Sequence, residues 1–131
     1  MGELIQKNII KSDKAPKAIG PYSVAVTANH FVFTAGQIGI DPSTGNLVEG
    51  GIESETKQAL ENLKNILIDS GASIQSVLKT TVFLTDINDF HKINSIYGEY
   101  FSENSPARSA VQVAALPKGA LIEIEAVAVI S

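Results

Sequence analysis

The chain has 131 residues, of which 44% are hydrophobic and 18% are charged, and its net charge is −4. This size and composition predict a single domain over 1–131 and exclude a disordered or low-complexity chain. The basic residues are scattered singly, so no basic stripe could neutralise several phosphates, and a nucleic-acid partner is not expected. The absence of cysteine excludes disulfides, thiolate catalysis and cysteine metal sites.

No targeting or metal-binding signal stands out in the sequence. Residues 1–7 lack the apolar core and cleavage site of a secretory signal, and no window approaches the roughly 18 apolar residues of a membrane-spanning helix. We therefore expect a cytoplasmic protein without a membrane partner. His30 and His91 are far apart and lie in no ligand motif, so no metal site is predicted.

The first half of the chain has the pattern of three strands followed by a helix. Strands are predicted over residues 7–10, 22–27 and 31–40. From 54 to 70 the apolar residues recur at helical spacing, which predicts a buried stripe made of Ala59, Leu60, Leu63, Ile66 and Leu67. Gly71 follows this helix, where a left-handed glycine is favoured.

The second half adds one helix and three strands. The strands are predicted over residues 76–85, 106–113 and 122–130, and the helix over 89–101. The order β-β-β-α-β-α-β-β predicts an α+β fold with one mostly antiparallel six-strand sheet and both helices packed on one face. The opposite face holds too many apolar residues to stay in water, so we expect other subunits to cover it.

Arg108 lies in a strand where core packing would not favour an arginine. Strand alternation puts it on one face with Ala110 and Gln112, and the small neighbour leaves room for a partner. A planar guanidinium suits a carboxylate, which could belong to a small molecule or to Glu123 or Glu125 of the last strand. The alternation alone favours a structural ion pair with one of these glutamates over a ligand site.

Two further positions have both an ordinary and a functional interpretation. Gly20 and Pro21 shape a turn that presents Tyr22 at the start of a strand, although a tyrosine there usually packs on the sheet edge. Asn94 follows Phe90 by one helical turn and lies beside the apolar stripe of the second predicted helix. This stripe consists of Phe90, Ile93, Tyr97, Tyr100 and Phe101. The pattern alone favours a bond from the Asn94 side chain to the backbone.

Sequence blocks along nearly the whole chain match one known family. The most specific pair is Pro106–Ser109 (PARS) with Ile122–Ala126 (IEIEA) at this separation. The other blocks are AIGPYS at 18–23, TAGQI at 34–38, QALENL at 58–63, KTTVFL at 79–84, NSIYGEYF at 94–101 and AALPKG at 114–119. Together they resemble the Rid family of reactive-intermediate (enamine/imine) deaminases, formerly called the YjgF family.

The resemblance implies a chorismate-mutase-like fold and a homotrimer with its sites in clefts between subunits. It implies hydrolysis of 2-aminoacrylate (2-iminopropanoate) and 2-iminobutanoate to 2-keto acids and ammonia, without a cofactor. Arg108 would hold the substrate carboxylate at two points, and Glu123 would activate the attacking water. The resemblance also implies that the pocket is lined by Tyr22, Asn94 and the backbone of Gly36 and Ala110.

Two residues depart from the family pattern and leave the substrate range open. Ala35 stands where serine is common, and Ala110 stands where cysteine is frequent. Retention of both Arg108 and Glu123 favours an enzyme over a non-catalytic ligand-binding or regulatory protein, because carboxylate binding alone does not require the acid. A ribonuclease or translation inhibitor is least favoured, since the chain is acidic.

Overall fold

Six strands and two helices follow one another in the order that the sequence predicts. The computed structural model describes residues 4–130. Residues 1–3 and 131 of the predicted domain 1–131, and with them the start of the segment 1–7, lie outside the described residues. The strands are β1 (Lys7–Ile10), β2 (Ala25–Ala28), β3 (Phe31–Thr34), β4 (Val77–Leu84), β5 (Ala107–Gln112) and β6 (Ile122–Val129). The helices are α1 (Gly51–Asp69) and α2 (Phe90–Tyr100).

The strands form one sheet in the order β1-β2-β3-β6-β4-β5. All neighbouring pairs are antiparallel except β4 and β5, which are parallel and connected through α2. A parallel pair needs such a crossover, because its second strand must start at the same end of the sheet as the first. The predicted α+β architecture with a mostly antiparallel sheet is confirmed, and β5 forms one edge.

Both helices pack on the same face of this sheet. The predicted stripe of α1 is fully buried, and it shares one core with Ile93, Tyr97 and Phe101 from the region of α2. The sheet contributes the alternate residues of β6 that point to this side, namely Ile122, Ile124, Ala126 and Ala128. Each buried leucine or isoleucine contributes about 1.5–3 kcal/mol. No helix among residues 4–130 is long and apolar enough to cross a membrane.

The opposite face of the sheet is apolar and exposed. Phe31 and Phe33 pair with Val129 and Val127, and they lie on this face beside them. Phe31, Phe33 and Val111 are 40%, 45% and 44% exposed. Clustered apolar side chains of this size usually mark a contact surface. Coverage of this face by other subunits stays a prediction.

Strand β3 ends earlier than the sequence predicts. The strand was expected over 31–40, but it ends at Thr34, whose hydroxyl accepts a hydrogen bond from the amide of Ala126 (3.0 Å). Beyond it, Gln37 pairs with β6 again in an isolated bridge to Ile124. The buried amide of Asn62 donates hydrogen bonds to the carbonyl oxygens of Ile38 (3.2 Å) and Ile40 (2.8 Å). Helix α1 therefore binds backbone groups that a longer strand would have given to its neighbour.

Two other boundaries differ by three residues. Strand β2 begins at Ala25 rather than Tyr22, because the Tyr22 amide donates to the Gly20 carbonyl (2.8 Å) in a tight turn. Helix α1 begins at Gly51 rather than Ser54, after the left-handed Gly50 (φ 113°). A left-handed φ is open to glycine without steric cost, so this turn places the helix start directly after it. The predicted left-handed residue at the other end of α1, Gly71, is confirmed (φ 83°).

Candidate active site

A cleft of about 620 Å³ is lined by Glu123, Tyr22 and Gly36. Strand alternation in β6 puts Glu123 on the face away from the helices, because its neighbours Ile122 and Ile124 both point into the core. Loop residues with charged side chains, including Lys17, Lys118 and Asp13, lie around the same cleft. Sequence analysis did not single out these three, because charged loop residues carry no spacing signal.

The side chain of Glu123 lies directly against the backbone of Gly36. A Cβ atom added to Gly36 would lie 2.6 Å from Cδ and 2.7 Å from Cγ of Glu123. Only glycine leaves room for the carboxyl group there. The position of Gly36 is fixed by the next residue, Gln37, which exchanges two backbone hydrogen bonds with Ile124 (2.8 and 3.0 Å). Glu123 and Gly36 are thus held together because their chain neighbours, Ile124 and Gln37, are hydrogen-bonded to each other.

The surroundings of Glu123 favour its protonated form more than water does. Burial raises the pKa of this carboxyl, and the neighbouring charge of Glu125 raises it further. Among residues 4–130, the only ion pairs are Lys64–Glu61 and Lys92–Asp89, so Glu123 has no cationic partner within this range. A carboxylate with a raised pKa is better suited to accept a proton from water.

Tyr22 lines the same cleft from the turn before β2. Its side chain is half exposed, and its hydroxyl oxygen accepts a hydrogen bond from the amide of Ile19 (3.3 Å). The ring therefore belongs to the wall of the cleft, as the functional interpretation expects. The backbone of the neighbouring wall runs through Ala35, whose amide donates to Val24 (2.8 Å).

Arg108 belongs to a second group of residues, at the edge strand β5. Its Cζ atom lies 4.6 Å from the ring centroids of both Phe90 and Tyr97, and its Nη1 donates to Oδ1 of Asn94 (3.1 Å). The spacing 90, 94 and 97 puts these three partners on one face of α2. The preferred interpretation of Asn94 as a residue bonded to backbone is therefore wrong, because its amide oxygen accepts from Arg108.

A structural ion pair between Arg108 and a glutamate of β6 is also wrong. Strand β4 lies between β5 and β6, with Thr80 paired to Arg108 and Phe83 paired to Glu123. Residues 80 and 83 are an odd number apart, so their side chains point to opposite faces of the sheet. Within one chain, Arg108 faces the helices and Glu123 faces away from them.

Ala110 lies on the helix-facing side of β5, two residues after Arg108. The amide of Val113 donates to the carbonyl of Leu84 (2.8 Å). In a parallel pair, alternate residues direct both backbone groups to the neighbouring strand, so Ala110 directs its carbonyl to the open edge of the sheet. This geometry fits a backbone role for Ala110 and needs no cysteine side chain.

Sequence analysis missed the aromatic partners of Arg108. It counted Phe90 and Tyr97 as part of the apolar stripe only, whereas both rings contact the guanidinium. The hydroxyl of Tyr97 forms a 2.7 Å hydrogen bond with Thr80. Burial raises the pKa of Tyr97, although the bond to Thr80 and the charge of Arg108 act in the opposite direction. The sequence carries no signal for these contacts, because it does not show that α2 covers the face of β5 that carries Arg108.

The predicted site residues therefore form two groups in one chain. Tyr22, Gly36 and Glu123 line the cleft, whereas Arg108, Asn94 and Ala110 lie at the β5 edge and on α2. Among residues 4–130, no cluster of three or more histidine, aspartate or glutamate side chains could hold a metal ion. The expectation of a reaction without metal or cofactor stays a prediction.

Comparison with known proteins identifies the family. The sequence model described as Endoribonuclease L-PSP matches residues 12–130. The chain is 56% identical over 129 residues to human 2-iminobutanoate/2-iminopropanoate deaminase, covering 98% of this chain and 93% of the human protein.

Two solved structures have the same fold. The Yersinia pestis protein YyfA, described as a member of the conserved Rid protein family, has a TM-score of 0.90 at 47% identity, covering 95% of this chain and 99% of YyfA. Escherichia coli TdcF, solved with bound serine, has a TM-score of 0.90 at 45% identity with the same coverage, 95% and 99%. The chain belongs to the Rid family, whose sequence model carries the description Endoribonuclease L-PSP.

Proposed function

We propose that this chain is a 2-iminobutanoate/2-iminopropanoate deaminase, which hydrolyses reactive imines released by amino-acid dehydratases to 2-keto acids and ammonia. The observation that carries the proposal is the carboxyl of Glu123, held against Gly36 in the cleft with a raised pKa. A protein that only binds carboxylates does not need this acid. The 56% identity to the human protein of that name supports the same substrate class.

The active site is completed between the subunits of a homotrimer. Substrate must meet both Arg108 and Glu123, yet these residues face opposite sides of the sheet in one chain. Arg108 of one subunit and Glu123 of the next therefore share each cleft. The exposed apolar face around Phe31, Phe33 and Val111 supports this assembly, because a closed ring of identical subunits would cover it.

Substrate binding depends on the carboxylate that every 2-imino acid carries. The planar guanidinium of Arg108 holds it at two points, while Tyr22 covers the substrate from the turn before β2. The serine bound to TdcF is an amino acid with the same carboxylate beside its α-carbon, which supports this class of ligand. The clamp orients the imine carbon toward the water at Glu123.

The chemistry needs one water and one proton shuttle. Glu123 takes a proton from water as its oxygen attacks the carbon of the protonated imine, and the C=N electron pair moves to nitrogen. The same carboxyl then gives a proton to that nitrogen. The C–N bond breaks and ammonia leaves, and the hydroxyl returns its proton to the Glu123 carboxylate as it becomes the ketone of the 2-keto acid. A positioned general base typically contributes about 10²–10⁴-fold to such a step.

A coupled assay tests this function. Threonine and a threonine dehydratase supply 2-iminobutanoate. The rate of 2-ketobutyrate formation is then measured with the wild-type protein, with the Glu123→Gln variant, and with the dehydratase alone. We expect the wild type to accelerate the reaction and the variant to lose most of the effect. A folded trimer that binds 2-ketobutyrate without accelerating its formation would instead support the non-catalytic, ligand-binding alternative.

The ribonuclease named in the family description is not proposed for this chain. The net charge is −4 and the basic residues are scattered, so the chain lacks the cationic surface that RNA binding uses. The predictions of no nucleic-acid or membrane partner and of a cytoplasmic location remain as the sequence analysis states them.

A further inference from the structure

Tyr97 is a buried tyrosine to which the proposed mechanism assigns no role. Its side chain is 6% exposed, and its hydroxyl lies 2.7 Å from Oγ1 of Thr80, which is 1% exposed. A hydroxyl pair this well buried is a fixed contact, because breaking it would leave two polar groups without water. The bond ties α2 to β4, the strand next to the edge strand β5.

The partner of this bond stands next to Arg108. Thr80 is paired directly with Arg108 in the β4–β5 register, so the two side chains lie side by side on the helix-facing side. The ring of Tyr97 extends from Thr80 over the guanidinium, 4.6 Å from its Cζ atom. The ring of Phe101, one turn later, lies 4.6 Å from the Tyr97 ring and supports it. Tyr97 is thus held at its hydroxyl and along its ring.

The guanidinium of Arg108 depends for its orientation on the rings of Tyr97 and Phe90, because its Cζ atom lies 4.6 Å from the centroid of each. Within residues 4–130 its side chain makes one hydrogen bond, from Nη1 to Asn94, and a single bond leaves the guanidinium plane free to turn. A two-point grip on a carboxylate requires one particular plane. Contact with the buried, hydrogen-bonded ring of Tyr97 restricts this plane.

We infer that Tyr97, anchored by its hydrogen bond to Thr80, is a positioning residue that sets the plane of the Arg108 guanidinium for carboxylate binding. The inference rests on the proposed function, since it assigns the carboxylate of the 2-imino acid to Arg108. It concerns the orientation of the clamp, and Tyr97 itself touches no reacting atom.

The test removes the hydroxyl and keeps the ring. Tyr97→Phe should lower kcat/KM about 3- to 10-fold and weaken 2-ketobutyrate binding by a similar factor, the range that one net hydrogen bond accounts for. Tyr100→Phe is the matched control, because it removes a 2.6 Å hydrogen bond to Glu61 from the same helix without touching Arg108. We expect this control to lose stability and to keep kcat/KM within about 2-fold.

A double variant separates positioning from ordinary stability. Thr80→Val should reduce activity as much as Tyr97→Phe, whereas Thr80→Ser keeps the hydroxyl and should keep the activity. The combination of Tyr97→Phe with Thr80→Val leaves no unpaired hydroxyl, so it should recover stability in denaturant unfolding. If activity recovers together with stability, the bond is only structural and the inference is wrong. If stability recovers and activity stays low, the positioning role is supported.

Calorimetric binding of 2-ketobutyrate separates this inference from the proposed function. Weaker binding in Tyr97→Phe, with a wild type that lacks deaminase activity, would support the inference and refute the function. An active wild type with unchanged binding and kcat/KM in both Tyr97→Phe and Thr80→Val would refute the inference alone. If Tyr97→Phe does not fold, Thr80→Val and Thr80→Ser decide between the same outcomes.

Discussion

The contact between Gly36 and Glu123 gives a prediction whose size follows from the structure. In Gly36→Ala, the new methyl group would lie 2.6 Å from the carboxyl carbon, whereas ordinary contacts begin near 3.4 Å. The φ angle of Gly36 is not in the left-handed region, so the backbone accepts alanine without strain. The carboxyl must therefore move by about 1 Å, a misplacement that costs on the order of 100-fold in rate. Deaminase kcat/KM measured with the dehydratase assay should fall by this factor.

Two other glycines serve as controls for the same chemical change. Gly98→Ala meets no atom within 4 Å and lies in α2, so it should keep full activity and gain about 0.5–1 kcal/mol of stability. Gly39→Ala would meet the backbone of Glu55 at 2.7 Å, so it should destabilise the fold generally. The double variant of Gly36→Ala and Glu123→Gln should be no slower than the slower of the two single variants, because both changes act on the Glu123 carboxyl. A folded Gly36→Ala protein with normal activity would refute the proposed role of Glu123.

Three further predictions concern the same site. Arg108→Lys keeps the charge but loses the planar guanidinium, so the variant should fold and assemble yet lose at least about 10-fold in kcat/KM. Its binding of 2-ketobutyrate should weaken as well, and full activity with full binding would contradict the role of Arg108 in holding the carboxylate. Glu123 must be ionised to accept a proton, so kcat/KM should fall as the pH drops through its raised pKa, and an acid limb at or below the ordinary glutamate range would contradict this. Sedimentation at micromolar concentration should show a trimer, and a stable, folded monomer would remove the shared site.

Sequence patterns were sufficient for the elements and for the core. The apolar spacing of α1 predicts which of its residues are buried, because a helix with one apolar stripe removes that stripe from water by packing it against the sheet. The end of β3 was not predictable in this way. At Thr34 the side-chain hydroxyl accepts a hydrogen bond from the amide of Ala126, which is 92 residues away in sequence. Further on, the carbonyl of Ile40 is bound by the amide of Asn62, 22 residues away.

The position of Arg108 shows a second limit. Alternation grouped its side chain with those of Ala110 and Gln112 on one face of β5, but alternation reveals neither which face the helices cover nor which strands are neighbours. The crossover through α2 puts β4 between β5 and β6, and this order separates Arg108 from Glu123. The role of Gly36 came from the family resemblance, and its physical reason, the contact with Glu123, is a tertiary feature.

Subunit mixing tests the central claim that Arg108 and Glu123 of different subunits form each deaminase site. By this account, Arg108→Lys and Glu123→Gln chains each retain at most about a tenth of the wild-type activity. The two kinds of chain are unfolded together in equal amounts and refolded. A random half of the sites then has a wild-type Arg108, and half of those also have a wild-type Glu123 from the neighbour, so activity should return to about one quarter of wild type. The same chains refolded apart and then mixed are the control. Activity no higher than in this control, with mixed trimers confirmed by differently tagged chains, would contradict the shared site.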